Sequence, residues 1–264
     1  MCTVSFLPRR EGFYLAMNRD EKRERFAALP PEVVEVEGHR AIFPREPSGG
    51  TWISVNDSGV CLALINWHRI KLQPKSNPLS RGLVVKELAG ISTAHEIAAS
   101  VKKLPVRKMR PFRLIAIVPG EKRVIEWRWD LQRLAIRNHE WRRQHWFSSG
   151  FDERTAEHVR AKICVSFVAG GDDPGRHGTF RNRRAGVNAA GYNLQWLRRL
   201  HCSHAPKRGP FSICMHRGDA ATVSYSEVAV GPRSVVMRYK DRPLCSLRST
   251  MTKPCKLSRV CATN

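Results

Sequence analysis

The 264-residue sequence predicts an α+β protein in which two stacked β-sheets are covered by helices. Three observations carry this expectation. The chain opens on a hairpin pattern, with strand-like runs at 3–7 and 12–17 around the turn Pro8-Arg9-Arg10-Glu11. A second hairpin is written at 51–55 and 60–66 around the turn formers Asn56-Asp57-Ser58-Gly59. Beyond it, strands and helices alternate in blocks, a pattern that fits stacked sheets better than βαβ repetition.

The remaining elements follow in order. The run Val60-Cys-Leu-Ala-Leu-Ile65 reads as a strand buried on both faces. Helical patterning spans 80–104, with Ser92 or Thr93 as N-cap before Ile97, Ala98, Val101 and Leu104, and Pro105 ends it. Strand composition returns at 112–118, 123–129 and 131–137, separated by Pro119-Gly120 and Asp130. A helix is expected over 152–168, a ligand-free loop over 170–175, and a short basic helix over 193–201 carrying Leu194, Trp196, Leu197 and Leu200. Strands are predicted at 211–216, 221–230 and 234–239, with Gly218-Asp219 and Gly231-Pro232 at the turns. This gives one domain over 1–244, followed by a basic tail at 245–264 expected to lack fixed order.

Hydrophobic residues at 42% and charged residues at 26% are globular values, which sets aside collagen-like, disordered and membrane compositions. The apolar runs are too short to span a bilayer and Arg9, Arg10 and Glu11 interrupt the start, so a soluble, cytoplasmic protein is expected. Forty-six Lys and Arg against 23 Asp and Glu leave a formal charge of +23, concentrated at Arg142/Arg143, Arg181/Arg183/Arg184, Arg198/Arg199 and the tail. A solvated basic surface is the simpler reading; it also favours anionic partners, of which nucleic acid is not the preferred one. The tryptophans Trp127, Trp129, Trp141 and Trp146 stand among arginines and are read as packing rather than base-stacking surfaces.

Cys2, Cys61, Cys164, Cys202, Cys214, Cys245, Cys255 and Cys261 are expected as thiols, Cys61 and Cys164 as core filler. Cys202-Ser-His204 and Cys214-Met-His216 contain four potential zinc ligands, but the one-residue spacing is short for a zinc knuckle. They are read as ordinary strand and helix residues, and neither metal nor cofactor is expected.

Cys2 has a chemical consequence of its own. Aminopeptidases remove Met1 before a small second residue and leave a free α-amine beside the thiol. With a reference pKa of roughly 7.7–8.0, that amine can accept a proton from a thiol titrating near about 8.5. Such a nucleophile also needs a group to hold the amine, a cation and an oxyanion donor. Asn18-Arg19-Asp20-Glu21 follows the second strand, whose antiparallel return brings Arg19 and Asp20 near Cys2. Asn66 ends the buried strand and is a candidate oxyanion donor, and Trp52, after Gly49-Gly50-Thr51, is a candidate pocket wall.

Met1-Cys2-Thr3, Asn18-Arg19-Asp20-Glu21, Gly49-Gly50-Thr51-Trp52, Asn66 and Ser80-Arg81-Gly82 together resemble the NRDE family, also called the transport and Golgi organisation 2 family. The segments 212–217 and 221–226 resemble its C-terminal strand pair. The resemblance covers roughly residues 1–240 and is strongest over the first 85. It implies a four-layer αββα N-terminal-nucleophile hydrolase-like sandwich. It also implies Cys2, Arg19, Asp20 and Asn66 as catalytic residues acting on an amide or thioester of an acyl compound, with Arg217 as a supporting arginine. The chain reads Ser148-Ser149 where members often carry Ser-Asn, so only one of the family's Asn oxyanion donors has a counterpart. Members are linked to lipid or acyl-CoA metabolism and to haem handling, which leaves a non-catalytic carrier of an acyl, haem or other anionic ligand as the alternative.

Overall fold

A computed structural model of the chain describes residues 2–74, 77–167 and 191–260. Two antiparallel sheets form its centre. The six-stranded sheet contains β1 (Cys2–Pro8), β2 (Phe13–Lys22), β10 (Gln144–Ser148), β11 (Ala220–Val230), β12 (Ser234–Lys240) and β13 (Cys255–Ser258), in the order β10-β1-β2-β11-β12-β13. The seven-stranded sheet runs in chain order through β3 (Leu29–Val36), β4 (His39–Arg45), β5 (Ile53–Asn56), β6 (Cys61–Asn66), β7 (Phe112–Val118), β8 (Arg123–Trp129) and β9 (Leu134–His139).

Strand alternation builds the layers, because successive side chains point to opposite faces. Cys2, Val4 and Phe6 of β1 and Phe13, Leu15 and Met17 of β2 face the second sheet, meeting Ile53, Val55, Ala63, Ile65, Ile115 and Ile117 in one buried cluster. The opposite face of the six-stranded sheet, with Leu7, Ala16, Phe147 and Tyr225, is covered by α3 (Glu153–Ser166) and α4 (Leu194–Cys202) through Ile163, Cys164, Trp196, Leu197 and Leu200. The outer face of the seven-stranded sheet packs Leu62, Leu64, Leu114, Ala116, Trp127 and Trp129 against α1 (Gly82–Glu87) and α2 (Ala94–Lys103). The result is the four-layer αββα sandwich.

The helix starts obey the capping chemistry of their sequences: Thr93, Asp152 and Asn193 accept from the backbone N–H of Glu96, Thr155 and Trp196. The tryptophans Trp127 and Trp129 are buried core residues. So are Cys61 and Cys164; burial pushes the Cys164 thiol up to about 12 and the Cys61 thiol higher still.

Several expectations are corrected. The 211–216 stretch is not a strand; Ser212 Oγ donates to Gly209 O and Cys214 O, which curls the segment, and only His216 bridges to Ala221. Of the tail, residues 245–260 are described and carry an ordered strand, since Cys255–Ser258 pair with β12 and bury Leu257. The edge strand β3 is hidden in the sequence by Pro30-Pro31, tolerated at an edge with a register shift between Leu29 and Glu32. β2 continues through Asn18-Arg19-Asp20-Glu21 rather than ending before it. The 170–175 loop, Arg181/Arg183/Arg184 and Cys261 lie outside the described residues. Among the described residues no helix is long and apolar enough to cross a membrane.

Candidate active site

Cys2 opens β1 between two neighbours. Across one ladder it stands opposite Arg19 of β2, and across the other opposite Ser148 of β10. Residues directly opposite one another project to the same face, so Cys2, Arg19 and Ser148 share the inter-sheet side. Asp20, the next residue along β2, turns to the helix side.

Cys2, Arg19, Asp20, Asn66 and Trp52 line one cleft of about 280 Å³, together with Glu21, Arg25, Glu46, Arg81 and Arg110. Its wall is formed where the two glycine motifs meet. Thr51 N donates to Gly82 O at 3.2 Å, and a Cβ on Gly82 would lie 2.9 Å from Thr51 N, so glycine is required there for Arg81 to hold its place. Arg19 stacks over the Trp52 ring, 4.3 Å from guanidinium carbon to ring centroid, and donates to Glu46 Oε1 at 2.5 Å. Arg25 is paired with both Glu21 and Glu46, at 2.8 Å each. Asn66 ends β6 opposite Phe112 of β7, which brings its side chain to the cleft from the second sheet.

Asp20 is held in the helix-side layer. Its Oδ1 accepts from Thr222 Oγ1 at 2.6 Å, and Oδ2 lies 3.5 Å from Nη2 of Arg160 on α3, with both charged side chains fully buried. Arg160 also donates to Thr3 Oγ1 at 3.1 Å, tying the helix to the start of β1. Sequence reasoning missed Arg160. Its signal was an arginine at helical spacing on the face that carries Ala156, Ile163 and Cys164.

Burial pushes the Cys2 thiol above its ordinary 9.0, and the Asp20 carboxylate adds to the rise. A hydrogen bond from the Asp20 backbone and the Arg19 guanidinium pull it down without reversing the shift. Arg19 favours the thiolate, but desolvation outweighs the cation. Arg217 does not line the cleft. It lies in the turn before β11, its guanidinium donates to Asp219 Oδ1 at 2.9 Å, and it covers the Phe151 ring. Ser149, at the position of the second Asn, turns its backbone N–H to Glu153 Oε1. Ser148, on the Cys2 side, is buried, with a hydroxyl that has no hydrogen-bond partner among the described residues.

Two antiparallel sheets between helix layers, with a cysteine opening a central strand of one sheet, define an N-terminal-nucleophile hydrolase-type fold. Solved structures agree at the level of fold. Penicillin V acylase from Agrobacterium tumefaciens matches with a TM-score of 0.51 at 10% identity, covering 95% of this chain and 84% of that one. A cysteine-to-alanine mutant and an arginine-to-leucine variant of conjugated bile acid hydrolase from Clostridium perfringens match at 10% identity with TM-scores of 0.50 and 0.51, each over 100% of this chain and 99% of the other. The family model described as transport and Golgi organisation 2 matches residues 1–170, and the chain belongs to that family. A search of curated proteins finds no match.

Proposed function

We propose that the protein is a cysteine N-terminal-nucleophile hydrolase that cleaves an amide or thioester of an acyl compound. The observation that supports it best is the cross-strand pairing of Cys2 with Arg19 in a cleft that Asp20 and Asn66 also line. In this reading Met1 is removed, the Cys2 sulfur attacks the acyl carbonyl, and the Cys2 α-amine takes the thiol proton. Asn66 donates to the oxyanion. The C–N or C–S bond then breaks, the amine returns its proton to the leaving group, and water hydrolyses the acyl-enzyme to release the acid. Asp20, anchored by Thr222 and Arg160, orients the amine.

The raised thiol fits a mechanism that depends on a local base, since little thiolate is present before the proton is moved. The penicillin and bile acid hydrolases named above support the reaction class by fold. Two cations extend the reading to substrate. Arg81 and Arg110 line the cleft without an ion pair among the described residues, and burial followed by Arg110 brings Arg81 down to about 10. They suit a carboxylate or phosphate on the acyl compound, with Trp52 as an apolar wall.

The same arginine pair favours a second reading, a carrier that binds an anionic acyl or haem ligand without turnover. Intact mass separates the two first: the enzyme requires a chain lacking Met1. Incubation with acyl-amide and acyl-thioester panels then decides, turnover or a mass adduct lost in Cys2→Ala supporting the hydrolase. Stoichiometric binding without product, equal in wild type and Cys2→Ala, supports the carrier.

A further inference from the structure

We propose that His204, Cys214, His216 and Cys245 form a structural zinc site. All four ligand atoms lie within 4.8 Å of one another. His204 Nε2 and His216 Nε2 are 3.1 Å apart, the Cys214 and Cys245 sulfurs 3.5 Å apart, and His216 Nε2 is 3.6 Å from Cys214 Sγ and 3.5 Å from Cys245 Sγ. A tetrahedron with Zn–S near 2.3 Å and Zn–N near 2.0–2.1 Å has edges of about 3.8 Å between sulfurs, about 3.6 Å between sulfur and nitrogen, and about 3.3 Å between nitrogens. Four of the six edges are within a few tenths of an ångström of these values, and the two from His204 to the sulfurs lie within 4.8 Å. The sulfurs are far beyond the ~2.05 Å of a disulfide, so the geometry is that of two thiolates and two imidazoles converging on one point.

The fold explains why the sequence spacing concealed the site. The ligands come from three segments rather than one knuckle: His204 just past α4, Cys214 and His216 in the curl before β11, and Cys245 after β12. Cys214 and His216 are two residues apart in that curl, which turns both side chains to one point, 3.6 Å from Sγ to Nε2. Cys214 N donates to Ser203 O at 3.0 Å, which sets that segment against the end of α4. Cys245, not Cys202, is the fourth ligand. Four protein donors of two sulfurs and two nitrogens leave no position for water, which is the composition of a structural rather than catalytic zinc centre. Coordination through His216 Nε2 puts the remaining proton on Nδ1, so Arg208, 3.4 Å from Nδ1 on the exposed side, turns away to solvent.

The site has a consequence for Asp20. Met215, between two ligands, donates its backbone N–H to Thr222 Oγ1 at 2.9 Å, and that hydroxyl donates to Asp20. A metal fixing Cys214 and His216 therefore fixes the hydrogen bond that orients a buried carboxylate. The proposal itself does not depend on the hydrolase reading.

The test uses the full chain, purified without a metal-binding tag and without chelators, with metals counted by plasma mass spectrometry. The expected result is equimolar zinc, released when a mercurial blocks the thiols. Cys245→Ser and His216→Ala should each bind zinc at least ~10-fold more weakly, while Cys202→Ser keeps full metal. Should the ligand variants fail to fold, cobalt exchanged into the wild-type chain gives the independent readout, tetrahedral ligand-field bands with thiolate-to-cobalt charge transfer. Wild-type protein that carries no zinc after supplementation and gives no such cobalt spectrum overturns the proposal. So does a Cys214–Cys245 disulfide found by peptide mapping, or a Cys245→Ser variant with unchanged metal affinity.

Discussion

Replacing Arg160 with methionine tests whether the carboxylate at the candidate site is supported from α3. The arginine and Asp20 are both fully buried with 3.5 Å between Nη2 and Oδ2. Unit charges at that distance attract by about 5 kcal/mol at an effective dielectric near 20, and desolvation of both groups offsets much of it. Removing only the cation leaves the desolvation of Asp20 uncompensated, which costs about 3–5 kcal/mol. Lost with it are the hydrogen bond to Thr3 Oγ1 at 3.1 Å and longer contacts to Ser148 O and Pro210 O at 3.5 and 3.4 Å. The assay is urea unfolding followed by tryptophan fluorescence for wild type, Arg160→Met, Asp20→Asn and the double variant. Arg160→Met should lose about 3–5 kcal/mol, and the double variant should recover at least ~1–2 kcal/mol relative to the sum of the singles. Additive losses, or a coupling within ~0.5 kcal/mol of zero, would show that Asp20 and Arg160 do not act as a pair and refute the reasoning.

Four further outcomes are expected. Burial pushes His145 and His201 down to about 3, both rings bonding Ser5 Oγ at 2.9 Å, so the folded chain takes up these protons later than the unfolded chain with its reference near 6.5. Their contribution is complete above pH 6.5 and is lost as pH falls towards 3; urea stability that stays flat across that window contradicts it. In chain that retains Met1, alkylation of Cys2 should rise with a midpoint above 9.0, and Arg19→Ala should move it higher because a lowering cation is removed; a midpoint unmoved by the variant argues against that role. Trp52→Ala should cost about 3–5 kcal/mol in urea unfolding through the buried cavity and the lost Arg19 stacking, whereas a loss under ~1 kcal/mol would mean the ring is not part of the core. Arg81→Ala should weaken binding of a fatty acyl carboxylate by roughly 10–100-fold in calorimetry, with Arg217→Ala unchanged; equal effects from both would remove the cleft as the anion site.

The layers were legible because their cause is local. Alternation in the first hairpin, the double-faced run at 60–65 and the helix cap at Thr93 are written in neighbouring residues, and the fold follows from stacking them. Cys2, Arg19, Asp20, Asn66 and Trp52 could be read as candidates, and they do line one cleft, because three of them sit on a hairpin whose register any antiparallel return fixes and the other two on motif residues. Arg160 and Cys245 were not, since each reaches its partners across long sequence separations and carries no pattern beyond one polar residue on a buried face or in a basic tail. Arg217 misled for the opposite reason: its motif neighbours are where the resemblance puts them, but Asp219, two residues on, holds the guanidinium in its own turn. The pKa of Cys2 was also beyond the sequence, because the sign depends on how much water the folded layers exclude.

The two faces of β2 constrain what the base of the proposed reaction can be. Cys2 and Arg19 project to the inter-sheet side, whereas Asp20 belongs to the face that packs on α3 and is fixed there by Thr222 and Arg160. A carboxylate pinned behind the ladder is badly placed to take a proton from a thiol in front of it. The α-amine of a processed Cys2 has no such restriction, because it leaves the backbone at the strand end, in the plane of the ladder, where it is within reach of groups on either face. The proposed division of labour fits this pleat geometry: the amine moves the proton, Asp20 orients the amine from behind, and Arg19 attends the thiol from in front. On this geometry a chain bearing an extra residue before Cys2 should lose turnover while keeping Arg19, Asp20 and the cleft intact. Full activity in such a chain would transfer the role of base to another group.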